Sequence, residues 1–155
     1  MDAEREQEMM KTIYAGCDPG VKGALAIIDG EEVRIIGYDK EEYLKELEQL
    51  GKQSCRLCLE QVHSITKQGI SSAFTFGTNF GWLQGVLEAN AIPYQLISPQ
   101  RWKKDFGCTS DKNTSIEVCK RLFPGVSLKR TERCKKDDDG FAEALLMALY
   151  AKRHF

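Results

Sequence analysis

Four acidic residues of this chain are candidates for chemistry at a metal ion. Asp18 is followed directly by Pro19-Gly20, which turns the chain away, and Glu60 ends an apolar run. Asp139 and Glu143 are four residues apart, so a helix places both on one face near its N-terminus. Clustered carboxylates repel one another unless a cation neutralises them, and hard divalent ions such as Mg²⁺ prefer oxygen ligands. Two such ions about 4 Å apart activate water and stabilise the leaving oxygen in phosphodiester hydrolysis.

Each acid also has an ordinary structural interpretation. Asp18 with Pro19-Gly20 suits a plain turn, and the run Asp137 to Asp139 suits the N-cap of a helix. Capping does not explain Glu60, because a charge in an apolar segment is unfavourable unless it is paired or exposed. We therefore hypothesise that the four acids converge on one site.

The hydrophobic pattern predicts the elements that must position these acids. Strands are predicted at residues 12–18, 24–29, 33–38, 56–62 and 92–97. Helices are predicted at residues 40–50, 71–90, 115–123 and 139–152. Asp29-Gly30 indicates a hairpin, so the first three strands form an antiparallel meander. This order predicts an α/β fold with a mixed five-stranded sheet, as a single domain over residues 12–155 after a flexible lead, residues 1–11.

Charge is segregated along the chain, although the formal net charge is only -1. Acidic residues exceed basic ones by seven in residues 1–50, whereas basic residues exceed acidic ones by five in residues 101–155. The basic segment from Arg101 to Lys136 ends abruptly at Asp137. The overall charge therefore does not exclude a nucleic-acid partner.

Several other classes of protein are disfavoured. Uncharged apolar runs such as Gly23 to Ile28 and Ala144 to Ala151 are far shorter than a membrane-spanning helix, and the acidic start does not resemble a signal peptide. The six cysteines are predicted to be reduced thiols, because Cys55 and Cys58 face opposite sides of a strand and no second pair completes a zinc site. We expect a cytoplasmic protein, or an organellar one if a transit peptide has been removed.

Three sequence blocks carry a resemblance to a known family. They are Gly16-Cys17-Asp18-Pro19-Gly20 with Gly23-Ala24-Leu25-Ala26, then Leu59-Glu60-Gln61-Val62, then Asp139-Gly140-Phe141-Ala142-Glu143-Ala144-Leu145-Leu146. In this order they resemble RuvC-type Holliday junction resolvases of the ribonuclease H-like superfamily. Ser98-Pro99-Gln100-Arg101-Trp102-Lys103 and Leu122-Phe123-Pro124 are most similar to the phage and plant-chloroplast branch.

The resemblance implies a ribonuclease H-like fold and a metal-dependent endodeoxyribonuclease that resolves four-way junctions by paired symmetric cuts. It implies that Asp18, Glu60, Asp139 and Glu143 hold two Mg²⁺ ions, with Mn²⁺ as an alternative. In the bacterial pattern the last two acids are three apart, but Gly140 occupies that position here. Asp139 is therefore preferred as the metal ligand that partners Glu143, and Asp138 remains a possible substitute.

The resemblance also suggests a surface for branched DNA. The loop His63 to Gly69 and the aromatic residues Phe74 and Phe76 correspond to a region that enters the junction, where one ring stacks on or wedges between bases. The two rings could equally belong to the core. Among the basic residues, the candidates for phosphate contacts are Lys103, Lys104, Lys112, Lys135 and Lys136.

A symmetric homodimer would match the two-fold symmetry of a four-way junction. The helix from Ser71 to Asn90 is the candidate interface, through Phe80, Trp82, Leu83, Val86 and Leu87, although core packing could use the same residues. Two other functions remain open. One is a ribonuclease H-like nuclease acting on RNA–DNA hybrids or branched replication intermediates, and the other is a non-catalytic junction-binding protein.

Overall fold

The computed structural model describes residues 2–61 and 69–155, apart from the side chains of residues 9 and 10. The elements follow the chain in this order: α1 (Ala3–Lys11), β1 (Ile13–Cys17), β2 (Ala24–Asp29), β3 (Glu32–Gly37), α2 (Lys40–Gly51), β4 (Cys55–Glu60), α3 (Ile70–Ala89), β5 (Tyr94–Ile97), α4 (Pro99–Phe106), α5 (Lys112–Leu122) and α6 (Asp139–His154). None of the helices within these ranges combines the length and apolarity that a membrane crossing needs.

The five strands form one mixed sheet in the order β3-β2-β1-β4-β5. The first three strands pair antiparallel, and Gly30 at the β2–β3 turn has a φ of 61°, which glycine adopts without strain. Strands β4 and β5 then add parallel to β1. The predicted fold class, an α/β fold with a mixed five-stranded sheet, is therefore confirmed.

Helices cover both faces of the sheet. On one face α6 packs against residues such as Tyr14, Ala26 and Cys58, and on the other α2 and α3 pack against residues such as Ala15 and Leu57. Side chains alternate between the two faces along each strand, as a pleated strand requires.

The same alternation separates the two cysteines of β4, as predicted from the sequence. Cys55 and Cys58 lie in different halves of the core, and all six cysteines are free thiols.

Two helices were not predicted from the sequence. Residues 1–11, predicted as a flexible lead, include helix α1, which is capped by the Asp2 side chain. The division of the chain at residue 12 stays a prediction. Helix α4 begins directly after β5, with Ser98 as its N-cap and Pro99 in its first turn, a common way to start a helix. This helix places Trp102 in the core.

Candidate active site

Asp18 and Glu60 lie side by side at the carboxyl ends of β1 and β4. The parallel register pairs Cys17 with Leu59, and both side chains pack on the α2–α3 face. Alternation along the strands therefore turns the next two residues, Asp18 and Glu60, toward the α6 face. The β1–β2 turn fixes Asp18 further, because the backbone N–H of Gly20 donates to its Oδ1 at 2.9 Å.

Helix α6 brings the other two acids to the same end of the sheet. Its backbone lies directly on β1 at Gly16, where a Cβ atom would be less than 3.0 Å from backbone atoms of Ala144, Met147 and Ala148. Glycine at this position thus allows the helix to lie against the strand. Asp139 occupies the first turn of α6, and Glu143 follows one turn later with a relative exposure of 8%.

The structure distinguishes Asp139 from Asp138. Asp138 is the N-cap of α6: its Oδ1 accepts from the Phe141 N–H at 3.0 Å, and Arg130 donates to both of its carboxylate oxygens. At Gly140 a Cβ atom would lie 2.7 Å from the carbonyl oxygen of Lys22, which explains why an acid three residues before Glu143 is absent. The charge of Asp139 contributes to the raised pKa of Asp18, so Asp139 stays the preferred candidate of the two.

Glu60 has a buried hydrogen-bond partner to which the sequence analysis gave no role at this site. Trp102 of α4 is fully buried, and its indole Nε1–H donates to Oε2 of Glu60 at 2.7 Å. A tryptophan N–H requires an acceptor when buried, and a buried carboxylate requires a donor. The Ser98-Pro99 helix start was the sequence signal from which this partner could have been found.

The four acids interact unfavourably with one another. Burial raises the pKa of Glu60 to about 7, with a further contribution from the charge of Asp18 and an opposing one from the Trp102 hydrogen bond. Burial likewise raises the pKa values of Asp18 and Glu143, and the neighbouring acids add to both effects. The site therefore carries negative charge that its own hydrogen bonds do not fully compensate.

Two of the predicted phosphate-binding lysines contact these acids. Lys112, the first residue of α5, places Nζ 3.0 Å from Oδ2 of Asp139, and Lys103 of α4 places Nζ 3.8 Å from Oε1 of Glu143. The predicted lysines Lys104, Lys135 and Lys136 are exposed. We found no ion pair for these three in residues 2–61 and 69–155.

The two predicted aromatic residues differ in their surroundings. Phe74 is 76% exposed near the start of α3, whereas Phe76 is half-buried and stacks on Phe80 with ring centroids 6.4 Å apart. The two rings therefore do not face the same way, as their spacing of two residues on a helix requires. Residues 63–68 of the predicted junction loop lie outside the described residues.

The chemistry of the acid cluster fits a hard divalent cation. All of its donors are carboxylate oxygens, the ligands that Mg²⁺ and Mn²⁺ favour, and their negative charge is only partly balanced. In the positions shown, no three Asp, Glu, His or Cys side chains of the described ranges are close enough to hold an ion. Asp18, Glu60, Asp139 and Glu143 are the residues that would hold one.

The raised pKa of Glu60 predicts how stability depends on pH. The folded state holds this proton more tightly than the unfolded state, so the free energy of unfolding falls as pH rises from about 4.5 to about 7. Glu60→Gln removes the titration and keeps an acceptor for Trp102. In EDTA at pH 8 we expect this variant to be more stable than the parent by about 1–3 kcal/mol, with the difference shrinking toward pH 5.

Urea unfolding followed by circular dichroism at pH 5 and pH 8 measures this difference. Glu48→Gln, at an exposed position of α2, is the matched control and should change stability little at either pH. Lower stability of Glu60→Gln at pH 8 would contradict the electrostatic account of the site.

The fold is shared with solved structures of RuvC. Thermus thermophilus RuvC is 16% identical to this chain, with a TM-score of 0.55 over 91% of this chain and 96% of that one. T. thermophilus RuvC in complex with a Holliday junction substrate is 13% identical, with a TM-score of 0.56 over 92% and 96%. No family model and no curated protein matches the chain. The predicted ribonuclease H-like fold is confirmed by this similarity.

Proposed function

We propose that this protein is a divalent-metal-dependent endodeoxyribonuclease that resolves four-way (Holliday) DNA junctions by paired, symmetric phosphodiester hydrolysis. The observation that carries the proposal is the convergence of Asp18, Glu60, Asp139 and Glu143 at one end of the sheet. Its support is the shared fold with T. thermophilus RuvC, of which one structure contains a Holliday junction substrate. The sequence blocks similar to the phage and chloroplast resolvases add to this support.

The four acids would bind the metal ions, and their hydrogen-bond partners would fix the orientation of the carboxylates. Two Mg²⁺ or Mn²⁺ ions bound here would supply Lewis acidity for the attacking water and the leaving oxygen. Trp102 fixes the orientation of Glu60, and the Gly20 N–H fixes that of Asp18. Asp139 exposes 38% of its side chain and Glu143 only 11%, so we assign to Asp139 the side of the site that faces the scissile phosphate.

The lysines near the acids are assigned to the DNA backbone. Lys112 is 71% exposed and reaches the site from α5, and Lys103 reaches it from α4. Each is placed to move from a carboxylate to a phosphate when DNA arrives. Lys104, Lys135 and Lys136 are exposed and would contribute to DNA binding in a salt-dependent manner.

Phe74 is the better candidate for contact with the junction centre. Its ring is exposed on the first turns of α3, as is the still more exposed side chain of Ile70, whereas Phe76 stacks on Phe80. An exposed aromatic ring next to an aliphatic side chain suits stacking on, or insertion between, unpaired bases. We therefore assign the junction contact to Phe74.

We propose that α3 also forms the homodimer interface, but through a different face from the one predicted. Leu83 and Leu87 are buried in the core, and Phe80, Trp82 and Val86 pack against the same core. The outer face instead carries glycines at four-residue spacing, and a Cβ atom at any of them would meet nothing within 4 Å: Gly77, Gly81 and Gly85. Such a face allows close approach of a second helix.

The composition of α3 agrees with this use. Of its 20 residues, Glu88 alone is charged, and its exposed N-terminal turns carry Ile70 and Phe74. An exposed helix of a monomer normally presents charged side chains to water. A dimer across this face would bring two active sites into one two-fold assembly, as cleavage of two strands requires.

Substrate competition tests the choice of substrate. A labelled four-way junction is incubated with the protein and Mg²⁺ in the presence of an unlabelled junction, linear duplex or RNA–DNA hybrid. We expect the unlabelled junction to inhibit cleavage at least about tenfold better than the other two, because only the junction fits both active sites of a dimer. Stronger inhibition by the hybrid, together with its cleavage, would support the ribonuclease H-like alternative. Junction binding without cleavage would support the non-catalytic one.

A further inference from the structure

The guanidinium of Arg130 joins two segments of the candidate site that are far apart in the sequence. Arg130 lies in the connection between α5 and α6. It donates from Nε to Oδ2 of Asp138 at 3.1 Å and from Nη2 to Oδ1 of the same residue at 2.9 Å. Its Nη2 also donates to the backbone carbonyl of Lys22 at 2.7 Å, and its Nη1 donates to that of Gly23 at 3.4 Å.

Both contacted segments carry acids of the site. Lys22 and Gly23 close the turn that Asp18 opens, and the Asp18 N–H donates to the carbonyl of Ala24 at the far end of that turn. Asp138 caps α6 immediately before Asp139. Arg130 therefore connects the backbone around one acid with the backbone around another.

The surrounding chain leaves a close-fitting space for this side chain. A Cβ atom at Gly37 would lie 2.9 Å from Nη1, and one at Gly140 would lie 3.3 Å from Nη2. The guanidinium also stacks over the ring of Phe141, at 5.0 Å from its centroid. Only 31% of the Arg130 side chain is exposed, so it differs from the exposed basic residues near it, such as Lys129.

We propose that Arg130 is a positioning residue that fixes the separation of Asp18 from Asp139 and thereby sets the affinity of the site for divalent cations. This inference rests on the proposed metal-dependent function. The planar fork of arginine binds both oxygens of Asp138 and still reaches two carbonyls, whereas the single ammonium of lysine does not reproduce this geometry. Residues that orient metal ligands without touching the metal commonly change its affinity by about 10–100-fold.

Isothermal titration with Mn²⁺ tests the proposal in the absence of DNA. Arg130→Lys and Arg130→Met are compared with the parent at a temperature where circular dichroism shows all of them folded. We expect both to weaken Mn²⁺ binding by about tenfold or more. Lys129→Met, which removes the same charge one residue earlier, should leave the affinity within about twofold.

A second variant keeps the proposal testable if Arg130→Met does not fold. Asp138→Asn retains the capping oxygen for Phe141 but offers the guanidinium one acceptor instead of two. We expect a smaller loss of Mn²⁺ affinity in this variant than in Arg130→Lys. At saturating Mn²⁺, junction cleavage by Arg130→Lys should recover toward the parent rate, because the acids themselves are intact.

The possible failures can be told apart. If the parent binds Mn²⁺ and the Arg130 variants bind it equally well, Arg130 is not a positioning residue, even if its loss lowers stability. Weaker junction binding with unchanged Mn²⁺ affinity would make Arg130 a phosphate contact and also overturn the proposal. If the parent itself binds no Mn²⁺ and cuts no junction, the proposed function fails and this inference fails with it.

Discussion

Asp18→Asn is expected to lower the rate of junction cleavage by at least about a thousandfold, the effect of losing roughly 4 kcal/mol of transition-state stabilisation at a metal site. Asp18 interacts electrostatically with Glu60, Asp139 and Glu143, so it lies at the centre of the cluster. The substitution is nearly isosteric and keeps an oxygen for the Gly20 N–H. The fold and the affinity for a four-way junction should therefore change little.

Single-turnover cleavage and gel-shift binding of the same labelled junction measure the two effects separately. Asp29→Asn is the matched control, because Asp29 ends β2 at an exposed position. The control should cleave and bind like the parent. Cleavage by Asp18→Asn at the parent rate would show that the acids are wrongly assigned. A parallel loss of cleavage and binding would show that Asp18 supports the fold rather than the reaction.

Gly81→Glu is expected to separate the protomers, raising the dissociation constant of the dimer at least about a hundredfold. An unpaired charge would be buried against the partner helix, at a cost of several kcal/mol. Nothing lies within 4 Å of a Cβ atom at Gly81, so the isolated chain should accommodate the new side chain without loss of stability.

Sedimentation velocity measures the dissociation constant. Gly125→Glu introduces the same charge at a glycine that is equally open but distant from α3 in the sequence, and it should leave the dimer intact. As the proposed dimer, the parent is expected to cut both strands of a junction within one binding event, whereas Gly81→Glu should make unpaired nicks. A variant that stays dimeric would exclude this face of α3 as the interface.

The fold was largely predictable because each strand carried a local signal. Strand β2 matches the prediction at both ends, and Asp29-Gly30 correctly indicated the hairpin. Helix α4 was missed because its eight residues contain too few apolar positions to show a helical pattern. With α4 unrecognised, Trp102 had no predicted place near Glu60, and their hydrogen bond depends on packing between residues 42 positions apart.

The four acids of the candidate site could be predicted from the sequence, but the residues that fix their positions could not. The four carboxylates stand out in the sequence because strand ends and helix spacing bring them together. Arg130 does not, since one basic residue in a basic segment gives no local signal of contacts with the β1–β2 turn. The apolar residues of α3 were left open between an interface and the core. They surround the helix, so only tertiary packing decides that Leu83 and Leu87 face inward.

Cleavage of a supercoiled plasmid that extrudes a cruciform is the most direct measurement of junction resolution. With Mg²⁺, the protein should convert this plasmid to linear DNA by two symmetric nicks, and ligase should seal the product ends. A plasmid without the inverted repeat should remain supercoiled. No cleavage in Mg²⁺ or Mn²⁺, or equal cleavage of both plasmids, would contradict a structure-selective resolvase.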